Sequence, residues 1–153
     1  MSKLKKPYIK KSYESDGSKS DTFLMFYESM HLSPAWKSLG PTAKVLYFAC
    51  KSQSHSEKHK KNPDQFTMNR SKWCHKYQIY GEGNGAGFTR DMTELIEKGF
   101  IICVECGANS RTKSVYQYSD MWLKYNTPGF EVPDLVKTIA MLGFKKRKNK
   151  EPP

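Results

Sequence analysis

The sequence has no apolar run approaching the roughly 18 residues that a membrane-spanning helix requires, which excludes an integral membrane role. It lacks a phosphate-binding G-x-x-x-x-G-K-S/T, since the glycines of GEGNGAG have no Lys-Ser/Thr after them. No carboxylate cluster suggests two-metal nuclease chemistry. No H-x-H pattern supports a tyrosine-dependent nicking enzyme, despite nine tyrosines. No repeat with a period of roughly 20–50 residues is visible, so solenoids and propellers drop out. Acidic residues are scarce, at 15 Asp and Glu against 26 Lys and Arg. The resulting net charge of +11 points to a polyanionic partner. Nucleic acid is favoured over a membrane surface, because no basic amphipathic helix with a wide apolar face is present. The opening MSKLKKPYIKK has no apolar stretch behind it and does not read as a secretory signal. With only four cysteines, the expectation is reduced thiols in the cytoplasm.

What is present fits one domain. The chain has 153 residues, and 13% aromatics is too many for a disordered polymer. Charge concentrates at the ends. Residues 1–20 hold six lysines against Glu14 and Asp16, and residues 144–153 hold five basic residues against Glu151. The reading is a basic flexible arm (1–20), a folded domain (21–127), a C-terminal helix (128–143) and a basic tail (144–153). The arms either solubilise the protein or lie along phosphate backbones. Residues 58–76 add a basic stretch within the body, with Asp64 its only acidic residue.

Phe23, Phe26, Tyr27 and Met30 recur at helical spacing after Asp21, a plausible N-cap. Ser33-Pro34 reads as cap and first residue of a short turn carrying Trp36. A helix from Pro41 has Val45, Leu46, Phe48 and Ala49 as its apolar set. Phe66 to Met68 reads as a short strand. Asn69 or Ser71 caps a short helix with Trp73, Cys74 and Tyr77 on one face. A further helix, about Asn84 to Lys98, has core residues Phe88, Met92, Leu95 and Ile96, with Gly99 at its C-terminal cap. FIICVEC and VYQYS form a β-hairpin around GANSRTKS. Residues 120–125 turn around Trp122, and a weaker helix over 134–142 carries Leu135, Val136, Ile139 and Leu142.

The stretch GFTRDMTELIEKGFIICV is similar to the recognition helix and first wing strand of bacterial winged-helix proteins. Residues 23–125 resemble that family in element order, and also resemble small winged-helix proteins of Gram-positive plasmids and conjugative elements. The resemblance implies an α+β, mostly helical fold: a winged helix-turn-helix with a two-stranded β wing and flexible basic tails. One departure is a longer, glycine-rich turn before the recognition helix.

In such a fold the face with Asn84, Gly85, Thr89, Arg90 and Thr93 enters the major groove. There Arg bonds guanine bidentately and Asn bonds adenine. The competing reading pairs Arg90 with Glu94 at i+4. Asp91, Glu94 and Glu97 would repel phosphates and are expected to point away. Arg70, Ser71, Lys72 and Lys76 are candidates for the DNA backbone, or form an ordinary solvated face. At the wing tip, Asn109, Arg111 and Lys113 are placed to reach a minor groove, although Gly107 and Asn109 also serve the turn itself.

Cys103 and Cys106 form a C-x-x-C, and with Cys74-His75 and Cys50 they supply the donor types of a zinc site. Residues three apart on an extended strand face opposite sides, which argues against it. Cys50 and Cys74 lie on apolar stripes, as buried thiols do. His55 and His59 give a still weaker metal signal. The expectation is no metal, no cofactor and no catalysis. The implied function is sequence-specific double-stranded DNA binding by a replication, transfer-origin or transcription accessory factor of a mobile element. Partners would then be duplex DNA and relaxosome, replication or transcription proteins, with oligomeric state unassigned. A protein–protein adaptor without a DNA site is the alternative. Single-strand binding by aromatics is disfavoured, because most of them occupy core-periodic positions.

Overall fold

The computed structural model describes residues 24–55, 62, 64–107 and 112–132. The expected helix over 134–142, both basic tails, Asn109 and Arg111 lie outside the described residues. The described chain is α+β. It comprises α1 (Glu28–Leu32), α2 (Pro34–Lys37), α3 (Pro41–Lys51) and a 3₁₀ turn (Ser52–His55). After these come β1 (Gln65–Thr67), a π-wound helix (Ser71–Lys76), α4 (Gly85–Glu97), β2 (Ile101–Glu105), β3 (Val115–Tyr118) and a 3₁₀ turn (Met121–Lys124).

The strands form an antiparallel sheet in the order β1-β3-β2. The hairpin is therefore not an isolated pair, because β1 joins β3 with Phe66 opposite Tyr116. An element order of helix, strand, helix, helix, strand, strand is compatible with a winged-helix layout.

Local chemistry explains most boundaries. Ser33 Oγ accepts the Trp36 N–H at 3.1 Å and donates to the Met30 carbonyl at 2.7 Å, so one side chain closes α1 and opens α2. Pro34 and Pro41 each stand at a helix start, where no N–H is needed. Asn69 Oδ1 accepts the Lys72 N–H at 3.2 Å, which settles the cap between Asn69 and Ser71 in favour of Asn69. Gly99 ends α4 at φ +80, with Phe100 N–H on the Leu95 carbonyl and Gly99 N–H on that of Ile96. A Cβ there would lie 2.7 Å from the Trp122 nitrogen, so both space and conformation demand glycine.

Two expectations fail. The helix expected after Asp21 begins only at Glu28; residues 24–27 have no helical turn, and Tyr27 is extended. Phe26 instead tucks against Trp36 (4.8 Å between ring centroids) and Phe48 (5.1 Å). On α3, Val45 and Phe48 are exposed, although the apolar pattern placed them in the core. Leu46 and Ala49 of the expected set are buried, and the stripe is completed by Ala43, Tyr47 and Cys50.

The core lies between α3, α4 and the inner side of the sheet. Leu46, Met92, Leu95, Ile96, Phe100 and Ile101 are fully buried, each stabilising by about 1.5–3 kcal/mol relative to exposure. Trp36 meets Tyr47, Phe48 and Phe100 edge-on, and Phe100 lies parallel to Trp122. Trp73 stacks on Phe88 at 5.2 Å, which fixes the π-wound helix against α4. At the other end, Tyr118 donates its hydroxyl to the Cys50 carbonyl at 2.7 Å, joining the sheet to α3.

Candidate nucleic-acid interface

The outward face of α4 is set by the residues that are not on it. Gly87, Asp91, Met92, Leu95 and Ile96 are buried, with Phe88 half-buried beside them. By helical geometry the opposite stripe carries Ala86, Thr89, Arg90, Thr93 and, one turn further on, Glu97. Glu97 was expected to point away from this stripe; its position places it there, so the stripe's cationic part is its N-terminal half. Ala86, an exposed small residue beside Arg90, was not among the expected contacts.

Arg90 is the side chain whose setting is most specific. Its Nε donates to Asp91 Oδ1 at 2.8 Å, while the side chain is 72% exposed and Asp91 is 3% exposed. Tyr80, buried, donates its hydroxyl to Asp91 Oδ2 at 2.7 Å. The carboxylate thus takes one partner from inside and one from outside. The expected Arg90–Glu94 alternative does not form, because Glu94 Oε1 accepts the Gly40 N–H at 3.0 Å and ties α4 to the start of α3. Hydrogen bonding to Asp91, and then its charge, raise the already high pKa of Arg90. Burial, followed by the bond to Asp91, pushes Tyr80 up, so its hydroxyl stays a donor.

The other expected contacts divide. Asn84 is the N-cap of α4, its Oδ1 accepting the Gly87 N–H at 3.0 Å. Paired reading of adenine needs both amide atoms, and one is committed to the cap. Thr89 Oγ1 donates to the Gly85 carbonyl at 3.0 Å. Gly85 is exposed and faces open space, and Thr93 is half-buried. Lys72 does not belong to a phosphate-facing set: its ammonium is held by the Thr67 carbonyl at 2.8 Å and the Thr67 hydroxyl at 2.9 Å. A lysine early in this helix reaches back to β1, and only the fold reveals that. Arg70 is exposed and donates to the Glu82 carbonyl at 3.0 Å, bringing the start of the π-wound helix to the turn before α4. Ser71 and Lys76 are exposed, with Lys76 Nζ 5.1 Å above the Tyr77 ring. Lys113 is exposed beside the hairpin neck. At that neck Gly107 N–H bonds Ser114 Oγ at 3.1 Å, and any Cβ on Gly107 would overlap the Thr112 carbonyl oxygen.

Two further features bear on function. A shallow apolar cavity of about 250 Å³ lies along the outer side of α3, lined by Leu24, Val45, Phe48, Tyr77 and Ile79 among others. Among the described residues, no group of three or more His, Cys, Asp or Glu gathers as a metal cluster, and no helix is long and apolar enough to cross a membrane. No family model, curated protein or solved structure matches this chain.

Proposed function

We propose that this chain is a winged helix-turn-helix protein that binds double-stranded DNA at a specific sequence and carries no catalytic activity. In this reading α4 enters the major groove, and Arg70, Ser71 and Lys76 meet the phosphate backbone. The hairpin with Asn109, Arg111 and Lys113 flanks the adjacent minor groove. The basic arms add contacts of no sequence preference. Such a protein acts as a replication, transfer-origin or transcription accessory factor of a mobile element, in the cytoplasm.

The observation that carries the reading is Arg90. An exposed guanidinium is anchored through its Nε to a buried carboxylate, which limits its rotation and leaves its two terminal nitrogens uncommitted to that bond. Two parallel donors held in this way suit the O6 and N7 acceptors of guanine.

The test is to incubate the purified chain with fragmented genomic and plasmid DNA, recover the bound fraction and sequence it. A single enriched site is the expected result, and its place beside a promoter, a replication origin or a nick site assigns the role. If about six phosphates are neutralised, the log–log salt slope for duplex binding is about −5. No enrichment together with a slope near zero rejects the reading. The outer cavity on α3 favours a second reading, an adaptor that docks another protein, and that reading predicts this negative result.

A further inference from the structure

The C-x-x-C at the neck of the β2–β3 hairpin plays no part in the proposed DNA face. On a regular strand its two thiols would face opposite sides of the sheet. The strand is not regular here. Cys103 stands opposite Tyr116 and Glu105 opposite Val115, so Val104 is an extra residue with no partner across the ladder. Such a bulge shifts the alternation by one. Continuing the shifted alternation one residue past the end of β2 brings Cys106 to the side of Cys103, two steps along and on the side that carries Tyr116. Both are half-buried, whereas Cys50 and Cys74 are buried. Cys103 Sγ leans along the strand toward the Glu105 carbonyl, 3.6 Å away, in the direction of Cys106.

This spacing selects among the things a thiol pair can do. Two ladder steps separate the backbone positions by about 6.6 Å. A disulfide needs Cβ atoms about 3.8 Å apart, and parallel side chains on one side of a strand keep them further apart than that. A metal ion bound linearly between two sulfurs needs them apart by twice one metal–sulfur bond, about 4–5 Å on the scale of the zinc–thiolate bond of about 2.3 Å. Rotation about the two Cα–Cβ bonds supplies that without moving the strand. Zinc would require two more ligands, and the described residues provide no group of three. Thiolate-only, two-coordinate binding belongs to soft ions such as Cu(I).

We propose that Cys103 and Cys106 form a two-thiolate chelating site for a soft monovalent metal ion of the Cu(I) type, at the neck of the hairpin. Binding replaces two S–H bonds by two sulfur–metal bonds and releases two protons to solvent, with no change of oxidation state.

The experiment titrates the reduced full-length chain with Cu(I), without oxygen, against a coloured Cu(I) chelator, alongside Cys103→Ser, Cys106→Ser and Cys74→Ala. The parent and Cys74→Ala are expected to hold one Cu(I) per chain. Each serine variant at the pair should lose about a hundredfold or more in affinity, because the second sulfur acts at a high effective concentration. Cys106 lies just beyond the end of β2, so Cys106→Ser alone decides the matter if Cys103→Ser fails to fold. X-ray absorption of the loaded parent should show two sulfur neighbours and no nitrogen. Failure of the parent to compete for Cu(I), equal affinity in Cys106→Ser, or nitrogen neighbours from histidine would each overturn the assignment.

Discussion

Tyr80→Phe removes one oxygen atom from the centre of the arrangement that holds Arg90. Tyr80 is buried and its hydroxyl lies 2.7 Å from Asp91 Oδ2, with Asp91 itself buried. Without that hydroxyl the oxygen keeps its charge density but has neither this partner nor water. A hydrogen bond to a charged group is worth about 1.5–3 kcal/mol, and stranding a buried acceptor costs a similar amount. Arg90 still neutralises the other oxygen from the solvent side, so the expected loss is about 2 kcal/mol. For a folded body of this size, that lowers Tm by roughly 10 °C. Urea unfolding, followed by the fluorescence of Trp36, Trp73 and Trp122, should show a lower midpoint with an unchanged m-value. Adding Asp91→Leu should recover part of the loss, since replacing both partners by apolar groups removes the stranded charge. If Tyr80→Phe unfolds within about 0.5 kcal/mol of the parent, Asp91 does not depend on Tyr80 and the anchoring argument fails.

Lys72 and Lys76 should separate by assay. Lys72→Met is expected to cost about 1 kcal/mol of stability and leave the salt slope of DNA binding unchanged, because its ammonium bonds Thr67. Lys76→Ala should leave stability within about 0.5 kcal/mol and make the slope shallower by about one. Burial raises the Cys50 thiol above its ordinary 9.0 and the Tyr47, Tyr80 and Tyr116 hydroxyls above 10.0. These groups are neutral when protonated and the fold favours that form, so their contribution is intact below about pH 9 and is lost as pH rises. Each adds about 1.4 kcal/mol of loss per pH unit above its unfolded value. A urea midpoint that stays constant from about pH 8 to pH 11 would contradict this. Removing residues 1–19 and 144–153 should weaken binding to all duplexes about equally and flatten the salt slope; lost discrimination between sequences would show that the arms read bases.

The elements that local chemistry controls were legible in the sequence. Pro41, the Asn84 cap and Gly99 bound α3 and α4, and the β-branched run after Gly99 announces β2. What escaped depends on neighbours far along the chain. Val45 and Phe48 look like core on α3 because composition records how apolar a helix is, not which side a second layer covers. Phe26 leaves the helical pattern for Trp36 and Phe48, and Lys72 turns back to Thr67. The bulge at Val104 is set by pairing with β3, so strand parity alone put Cys103 and Cys106 on opposite sides. Burial of Asp91 was readable in retrospect: position 91 lies three after Phe88 and four before Leu95, inside the apolar stripe. A carboxylate in that stripe signals a buried partner, though not that the partner is Tyr80.

The central claim is that Arg90, held by Asp91, reads a base. The direct measurement is a paired titration of Arg90→Ala and the parent on the enriched duplex and on a scrambled duplex of the same composition, at one salt concentration. The variant is expected to lose about ten- to a hundredfold in affinity for the enriched duplex and little for the scrambled one. If Arg90→Ala binds both duplexes as tightly as the parent does, α4 does not read DNA through this residue and the account is contradicted.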